Sequence, residues 1–217
     1  MQEARINMIE NQLRAGGVHA QEVFEAVSVI RREEFVPPDY RQYAFADMEI
    51  PLPYAQNMLT PLCEALVLQE TRLGKNDTVL EIGTGSGHMA ALLAHHSRHV
   101  TTVEIEEGLK QQAQNNLDRC GIKNVQVIHD NGFLVDRYAR DRLFDVIVFS
   151  GSVSNIPETF KDKLADNGRM IVFYGAEPCV QAIFLQKNSA MDITSGILFQ
   201  TSVKPLKEQP GHSPFRF

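Results

Sequence analysis

Apolar positions in the first thirty residues recur at helical spacing. Ile6, Ile9 and Leu13 share one face until Gly16-Gly17 end the pattern, and Val23, Val27 and Ile30 form a second stripe before Arg31-Arg32. Both stripes read as short helices packing on a larger body, with a helix-turn-helix as the weaker alternative. From Phe35 to Pro61 the periodicity is lost. Pro37, Pro38, Pro51, Pro53 and Pro61 forbid one long helix, yet the stretch is too apolar for a linker, so it reads as an ordered loop covering something. Thr60-Pro61 then opens a helix, Thr60 as cap and Pro61 in the first turn, with Leu62, Ala65, Leu66 and Leu68 on its buried side.

From position 78 the pattern alternates. Strands are expected at 78–82, 100–105, 125–128, 144–149 and 169–174, and helices at 88–95, 107–119 (closed by Gly121) and 157–164. Two weaker strand signals between Ile183 and Val203 suit an antiparallel edge pair. These elements predict an α/β, doubly wound, mostly parallel sheet of seven strands with an N-terminal helical extension. We read 1–217 as a single domain, in which 1–76 supply helices and a covering loop and 77–217 form the sheet core.

Bulk properties narrow the function classes. Of 217 residues, 43% are hydrophobic and 22% charged, which is ordinary for a soluble globule. The net charge of −6, with no basic stripe, argues against a nucleic-acid binder. No signal-peptide core or run of about 18 apolar residues is present, so no membrane partner is expected. Cys63, Cys120 and Cys179 are widely spaced and odd in number, and read as reduced thiols of a cytoplasmic protein; none carries a nucleophile motif. His95, His96 and His99 lack partners at ligand spacing, so no metal site is expected.

The chemistry concentrates in Glu81-Ile82-Gly83-Thr84-Gly85-Ser86-Gly87, between a strand and a helix. Glycines let a ligand approach the backbone, and a helix start presents unpaired N–H groups. A dinucleotide fingerprint would need glycine or alanine where His88 stands, and no P-loop pattern is present. An acid two places before the first glycine suits a cationic ligand, so S-adenosyl-L-methionine, with its ammonium and sulfonium, is the leading candidate. Three acids fall at strand ends, where an open parallel sheet binds ligands. Glu104, about twenty residues past the glycines, suits ribose hydroxyls. Asp130 suits an adenine amino group, and Glu81 the amino-acid end through the loop or a water. Glu106 and Glu107 read as surface acids compensating a helix dipole. Ser150-Gly151-Ser152, after the fourth strand, is expected to line the methyl-transfer pocket.

At this point a family resemblance becomes specific. Val79 to Gly87 resembles the cofactor loop of the protein-L-isoaspartate O-methyltransferases, which are class I, Rossmann-like, S-adenosylmethionine-dependent enzymes. Asn11-Gln12-Leu13-Arg14 resembles that family's opening helix, Arg31 to Pro37 its P-R-E-x-F-V-P segment, and Phe144 to Val148 with Ile156-Pro157 its fourth-strand region. The likeness runs over most of residues 5–175. It implies methyl transfer from S-adenosyl-L-methionine to the carboxylate of L-isoaspartyl residues in damaged proteins, with protein or peptide substrates as partners. The implied cofactor set is Glu81, Gly83, Thr84, Gly85, Ser86, Gly87, Glu104, Ile105, Asp130, Asn131 and Gly132.

The chain departs from the family in its substrate loop. The family reads roughly G-Q-T-I-S-x-P; here the stretch is Ala55-Gln56-Asn57-Met58-Leu59-Thr60-Pro61. Leu59 replaces the serine assigned as the active-site residue, Asn57 the threonine, and His88 the usual tyrosine after the glycines. His129-Asp130-Asn131 replaces G-D-G. No catalytic residue is therefore designated; Gln56, Asn57, Leu59 and Thr60 form the substrate loop, with Asn57 or Thr60 as replacements for the missing hydroxyl. Carboxylate methylation needs no strong base, because the acceptor is already ionised at neutral pH. Positioning can supply about 7–11 kcal/mol, whereas one lost hydrogen bond to a charged group costs about 1.5–3 kcal/mol. Cofactor binding should survive Leu59; the alternatives are a different methyl acceptor or an inactive S-adenosylmethionine-binding homologue.

Overall fold

The computed structural model describes residues 1–176, 178–189 and 192–207; the last ten residues assigned to the sheet core lie outside them. Helix α1 (Gln2–Met8) runs into a π turn (Ile9–Leu13), and α2 (Gln21–Val29) follows. The wider π turn changes the side-chain register. Met8, Ile9 and Leu13 are buried, whereas Ile6, assigned to the inner stripe from its spacing, is 54% exposed. In α2, Val23 and Val27 face inward as expected, joined by Phe24 and Ala26.

The proline-rich stretch is more ordered than its composition implies. It holds two short 3-10 turns, at Pro38–Tyr43 and Pro53–Ala55, and an antiparallel hairpin of β1 (Ile50–Leu52) and β2 (Gln56–Met58); a third such turn, Arg32–Glu34, lies just before it. The hairpin turn puts Tyr54 and Ala55 at positive φ. Helix α3 (Pro61–Thr71) begins as expected, with Thr60 Oγ1 accepting from the Cys63 N–H at 3.2 Å. Its inner face differs from the expected one. Ala65 and Leu68 are buried, with Glu64 and Val67, whereas Leu62 and Leu66 are half-buried.

The remaining elements are β3 (Thr78–Ile82), α4 (His88–His96), β4 (His99–Glu104), α5 (Glu107–Arg119), β5 (Val125–His129), α6 (Val135–Ala139), β6 (Phe144–Val153), α7 (Glu158–Lys161), β7 (Leu164–Ala176), β8 (Cys179–Ser189) and β9 (Asp192–Thr201). They form one seven-stranded sheet in the order β5-β4-β3-β6-β7-β8-β9. The first five pair in parallel; β8 and β9 add an antiparallel edge. Interior parallel strands are buried on both faces, and successive residues divide accordingly. Val79, Val100 and Val146 pack with α2, α3, α4 and α5, whereas Leu80, Val103 and Ile147 pack with α6 and α7. The short α6 has no counterpart in the sequence reading. Strand β6 runs four residues past its expected end, so Ser150-Gly151-Ser152 lies within the strand rather than after it.

Candidate active site

The chain leaves β3 outward through β4 and β5, then returns to β6 on the other side of β3. That reversal opens a crevice beyond the carboxyl ends of the strands, where α/β sheets bind ligands. A cavity lies there. Gly83, Gly85, Glu104, Ile105 and Gly132 line it at the carboxyl ends of the strands, and Gln56, Asn57 and Leu59 of the hairpin segment line the same cavity.

The glycine turn is locked from below. Gly83 at φ 94° and Gly87 at φ 85° occupy backbone conformations that side chains disfavour, and a Cβ on Gly87 would come within 3.2 Å of Ala113. Glu104 Oε2 accepts the Gly85 N–H at 2.8 Å, while Oε1 accepts from Ile105 and Glu106 at 3.0 and 3.1 Å. Burial pushes the Glu104 carboxyl upward against these backbone donors. Its Oε2, with one bond accepted, keeps a second lone pair for a ligand hydroxyl.

The other expected cofactor residues serve beneath or beside the cavity. Glu81 is fully buried and accepts from Thr102 Oγ1 and Ser150 Oγ, both at 2.7 Å. Burial pushes its carboxyl up to about 8, with the two hydroxyls opposing. It does not itself line the cavity but bonds Ser150, which lines it with Gly151. Thr84 bonds Thr102 at 2.6 Å, the Ser86 carbonyl accepts from Asn116, and Gly87 caps α4. Asp130 is drawn aside to Arg137 at 3.2 Å, and Asn131 Oδ1 holds the Phe133 N–H at 2.9 Å. None of these six, nor the helix cap Thr60, lines the cavity.

Glu106 corrects the sequence reading. It lines the cavity and pairs with Lys207 at 2.6 Å, rather than serving only as a surface acid. Glu49, Lys204 and Leu206 also line it and were not expected there. No local spacing in the sequence places these three beside the glycine turn. Glu49 Oε2 accepts from the Asn57 amide at 2.6 Å. The strap Val203–Lys207 pairs with the end of β6: Ser152 N–H donates to the Lys204 carbonyl, and Leu206 N–H to the Ser152 carbonyl, each at 2.9 Å. Leu206 rests against Gly83 and Gly151, where a Cβ on either glycine would lie 2.8 Å from its Cδ2.

Behind the hairpin segment lies a buried ionic cluster. Arg32 pairs with Glu64, and its Nη2 and Nε donate to the carbonyls of Leu59 (2.7 Å) and Ala44 (2.9 Å). His88 Nδ1 meets Glu64 Oε2 at 2.7 Å. Burial, reinforced by Arg32, lowers the His88 pKa despite that carboxylate, so the neutral ring donates. His88 opens α4 directly after Gly87, so the cluster ties the Leu59 backbone to the end of the glycine turn. Among the described residues no group of three or more His, Cys, Asp or Glu is placed to hold a metal, and no helix is long and apolar enough to cross a membrane. The three cysteines are free and scattered.

A doubly wound sheet with this strand order, an antiparallel edge, a glycine turn after its central strand and an acid ending the next strand defines the class I methyltransferases. The similarities to known proteins are consistent with that class and narrow it. A family model described as protein-L-isoaspartate(D-aspartate) O-methyltransferase matches residues 3–206. The chain belongs to this family. It is 34% identical to the protein-L-isoaspartate O-methyltransferase of Koribacter versatilis, covering 98% of this chain and 94% of that one. It is also 34% identical to that of Gloeobacter violaceus, covering 94% and 98%. In structure it superposes on a Plasmodium falciparum chain described under the same enzyme name and solved with S-adenosyl-L-homocysteine. The TM-score is 0.82 at 21% identity, over 96% of this chain and 98% of that one. A second solved protein-L-isoaspartate O-methyltransferase gives a TM-score of 0.79 at 25% identity, over 95% and 66%.

Proposed function

We propose that the protein transfers a methyl group from S-adenosyl-L-methionine to the carboxylate of L-isoaspartyl residues in protein substrates. Family membership over residues 3–206 supports the reaction. The observation that carries it in this chain is that one cavity is lined both by the glycine turn with Glu104 and by Gln56, Asn57 and Leu59.

The residues present suit the cofactor. Gly83 and Gly85 offer bare backbone, Glu104 an acceptor for ribose hydroxyls, and Ile105 and Gly132 flanking walls. Ser150, backed by Glu81, offers a hydroxyl oxygen to an ammonium group. Once bound, S-adenosyl-L-methionine supplies an electrophilic methyl on a sulfonium. The chain's own residues position the acceptor, which already carries the attacking electron pair and needs no base. In this reading residues 1–76 supply the covering helices and acceptor loop, and the sheet core from residue 77 holds the cofactor.

Calorimetry with S-adenosyl-L-methionine should give a binding isotherm, and an isoaspartyl peptide should be methylated where its aspartyl counterpart is not. Binding without methylation would transfer support to a second reading, the same cofactor with another acceptor. Leu59 and the neighbouring carboxylate of Glu49 favour that alternative. Absence of binding would overturn both.

A further inference from the structure

We infer that Lys204 holds the acceptor's carboxylate, replacing the hydroxyl that Leu59 lacks. The inference rests on the isoaspartyl reading above and names the group that recognises its substrate.

An ionised carboxylate entering a half-closed cavity loses water and needs a cation or several donors in return. The hairpin segment supplies little. Leu59 has no polar side-chain atom. The Asn57 amide is engaged by Glu49 at 2.6 Å, and Glu49 itself adds a like charge.

Among the described residues two cations line the cavity, Lys204 and Lys207. Lys207 is neutralised by Glu106 at 2.6 Å, next to the cofactor-side acid Glu104. Lys204 forms no ion pair among the described residues. Its Nζ donates one hydrogen bond, to the Ala55 carbonyl of the hairpin, at 2.9 Å. An ammonium has three protons, so among the described residues two remain for an incoming carboxylate.

The position of Lys204 is built in rather than accidental. Its carbonyl accepts from Ser152 N–H, and two residues on Leu206 N–H donates to the Ser152 carbonyl, both at 2.9 Å. Buried Val203 anchors the strap on one side, and Leu206 on Gly83 and Gly151 anchors it on the other. The lysine therefore spans from the end of β6 to the hairpin, in the cavity that Asn57 and Leu59 also line. A cation so placed also offsets Glu49 when a second carboxylate arrives.

The test compares the full chain with its Lys204→Met and Lys204→Arg variants, measuring methylation of an isoaspartyl peptide and cofactor affinity by calorimetry. A charge-assisted hydrogen bond predicts that Lys204→Met raises the peptide KM about tenfold to a hundredfold. The cofactor Kd should stay unchanged, and Lys204→Arg should keep most of the wild-type KM. Salt should raise the wild-type KM and leave that of Lys204→Met unmoved. If Lys204→Met melts early, Lys204→Gln takes its place. An unchanged KM in an active enzyme overturns the inference alone, as does a parallel loss of cofactor affinity, which would mark a merely structural strap. A wild-type protein that binds cofactor but leaves the peptide unmethylated overturns the isoaspartyl reading, and this inference with it.

Discussion

At position 59 the backbone and the side chain serve different ends. The carbonyl is fixed by Arg32 at 2.7 Å, so the loop keeps its course, while the leucine brings bulk and no donor to the cavity wall. Leu59→Ser should therefore raise kcat/KM for an isoaspartyl peptide by about tenfold to a hundredfold, the worth of a hydrogen bond to a charged group. It should also lower the melting temperature, because Leu59 is buried. Lost stability without gained activity would point to another acceptor. Glu81 gives a pH dependence. Its folded pKa of about 8 lies above the ordinary carboxylate value, so between about pH 4.3 and 8 the folded chain holds a proton that the unfolded chain has released. Its stabilising contribution is complete below that window and is lost as pH rises through about 8. Glu81→Gln keeps the shape without the titration. Melting curves from pH 5 to 8.5 should fall more steeply for wild type, by at most a few kcal/mol in stability; parallel curves would show that the carboxyl is ionised throughout.

The elements show a sharper division between what binds them and what hides them from the sequence. The Arg32–Glu64–His88 cluster joins the 3-10 turn after α2, helix α3 and the start of α4. Removing one partner from a buried ion pair leaves an uncompensated charge, at a cost of about 3–5 kcal/mol. Glu64→Ala should lose stability on that scale in urea unfolding, and the double replacement Arg32→Met with Glu64→Leu should recover part of it. A double variant less stable than the single one would mean that the Leu59 and Ala44 hydrogen bonds outweigh the charge pairing. Nothing in the sequence marks Glu64 as a partner, since it lies within an otherwise apolar helical stretch. The parallel strands were legible because burial on both faces demands apolar runs such as Val79-Leu80 and Val146-Ile147-Val148. The β1/β2 hairpin was not, because Pro51 and Pro53 interrupt the alternation that announces strands, and its turn uses Tyr54 and Ala55 at positive φ where glycine or asparagine is usual. Among site residues, Gly83, Gly85 and Glu104 follow from local spacing. Glu49 and Lys204 are 155 positions apart, and only the folded hairpin and strap bring both to one cavity.

At the scale of the whole molecule, the hairpin and the C-terminal strap close over the sheet edge from two sides, and they hold each other. Lys204 reaches the Ala55 carbonyl, Lys207 pairs with Glu106, and Leu206 lies across Gly83 and Gly151. The space left inside is about 60 Å³, against the ~300 Å³ or more that a small-molecule site occupies. A ligand as large as S-adenosyl-L-methionine must therefore meet a molecule in which strap and hairpin have parted. The partly exposed Lys207–Glu106 pair contributes at most about 1 kcal/mol; two backbone hydrogen bonds, the Lys204–Ala55 bond and the side chains of Val203 and Leu206 also hold the strap. Opening is thus accessible on the time scale of loop motion but precedes binding, which caps the rate of association. In stopped-flow mixing, the observed rate should level off as cofactor concentration rises. Leu206→Ala, which removes the side chain resting on the two glycines and leaves the strap's backbone bonds intact, should raise that plateau. A rate that climbs linearly to the highest concentrations in both proteins would show that the cavity admits its ligand without parting these two segments.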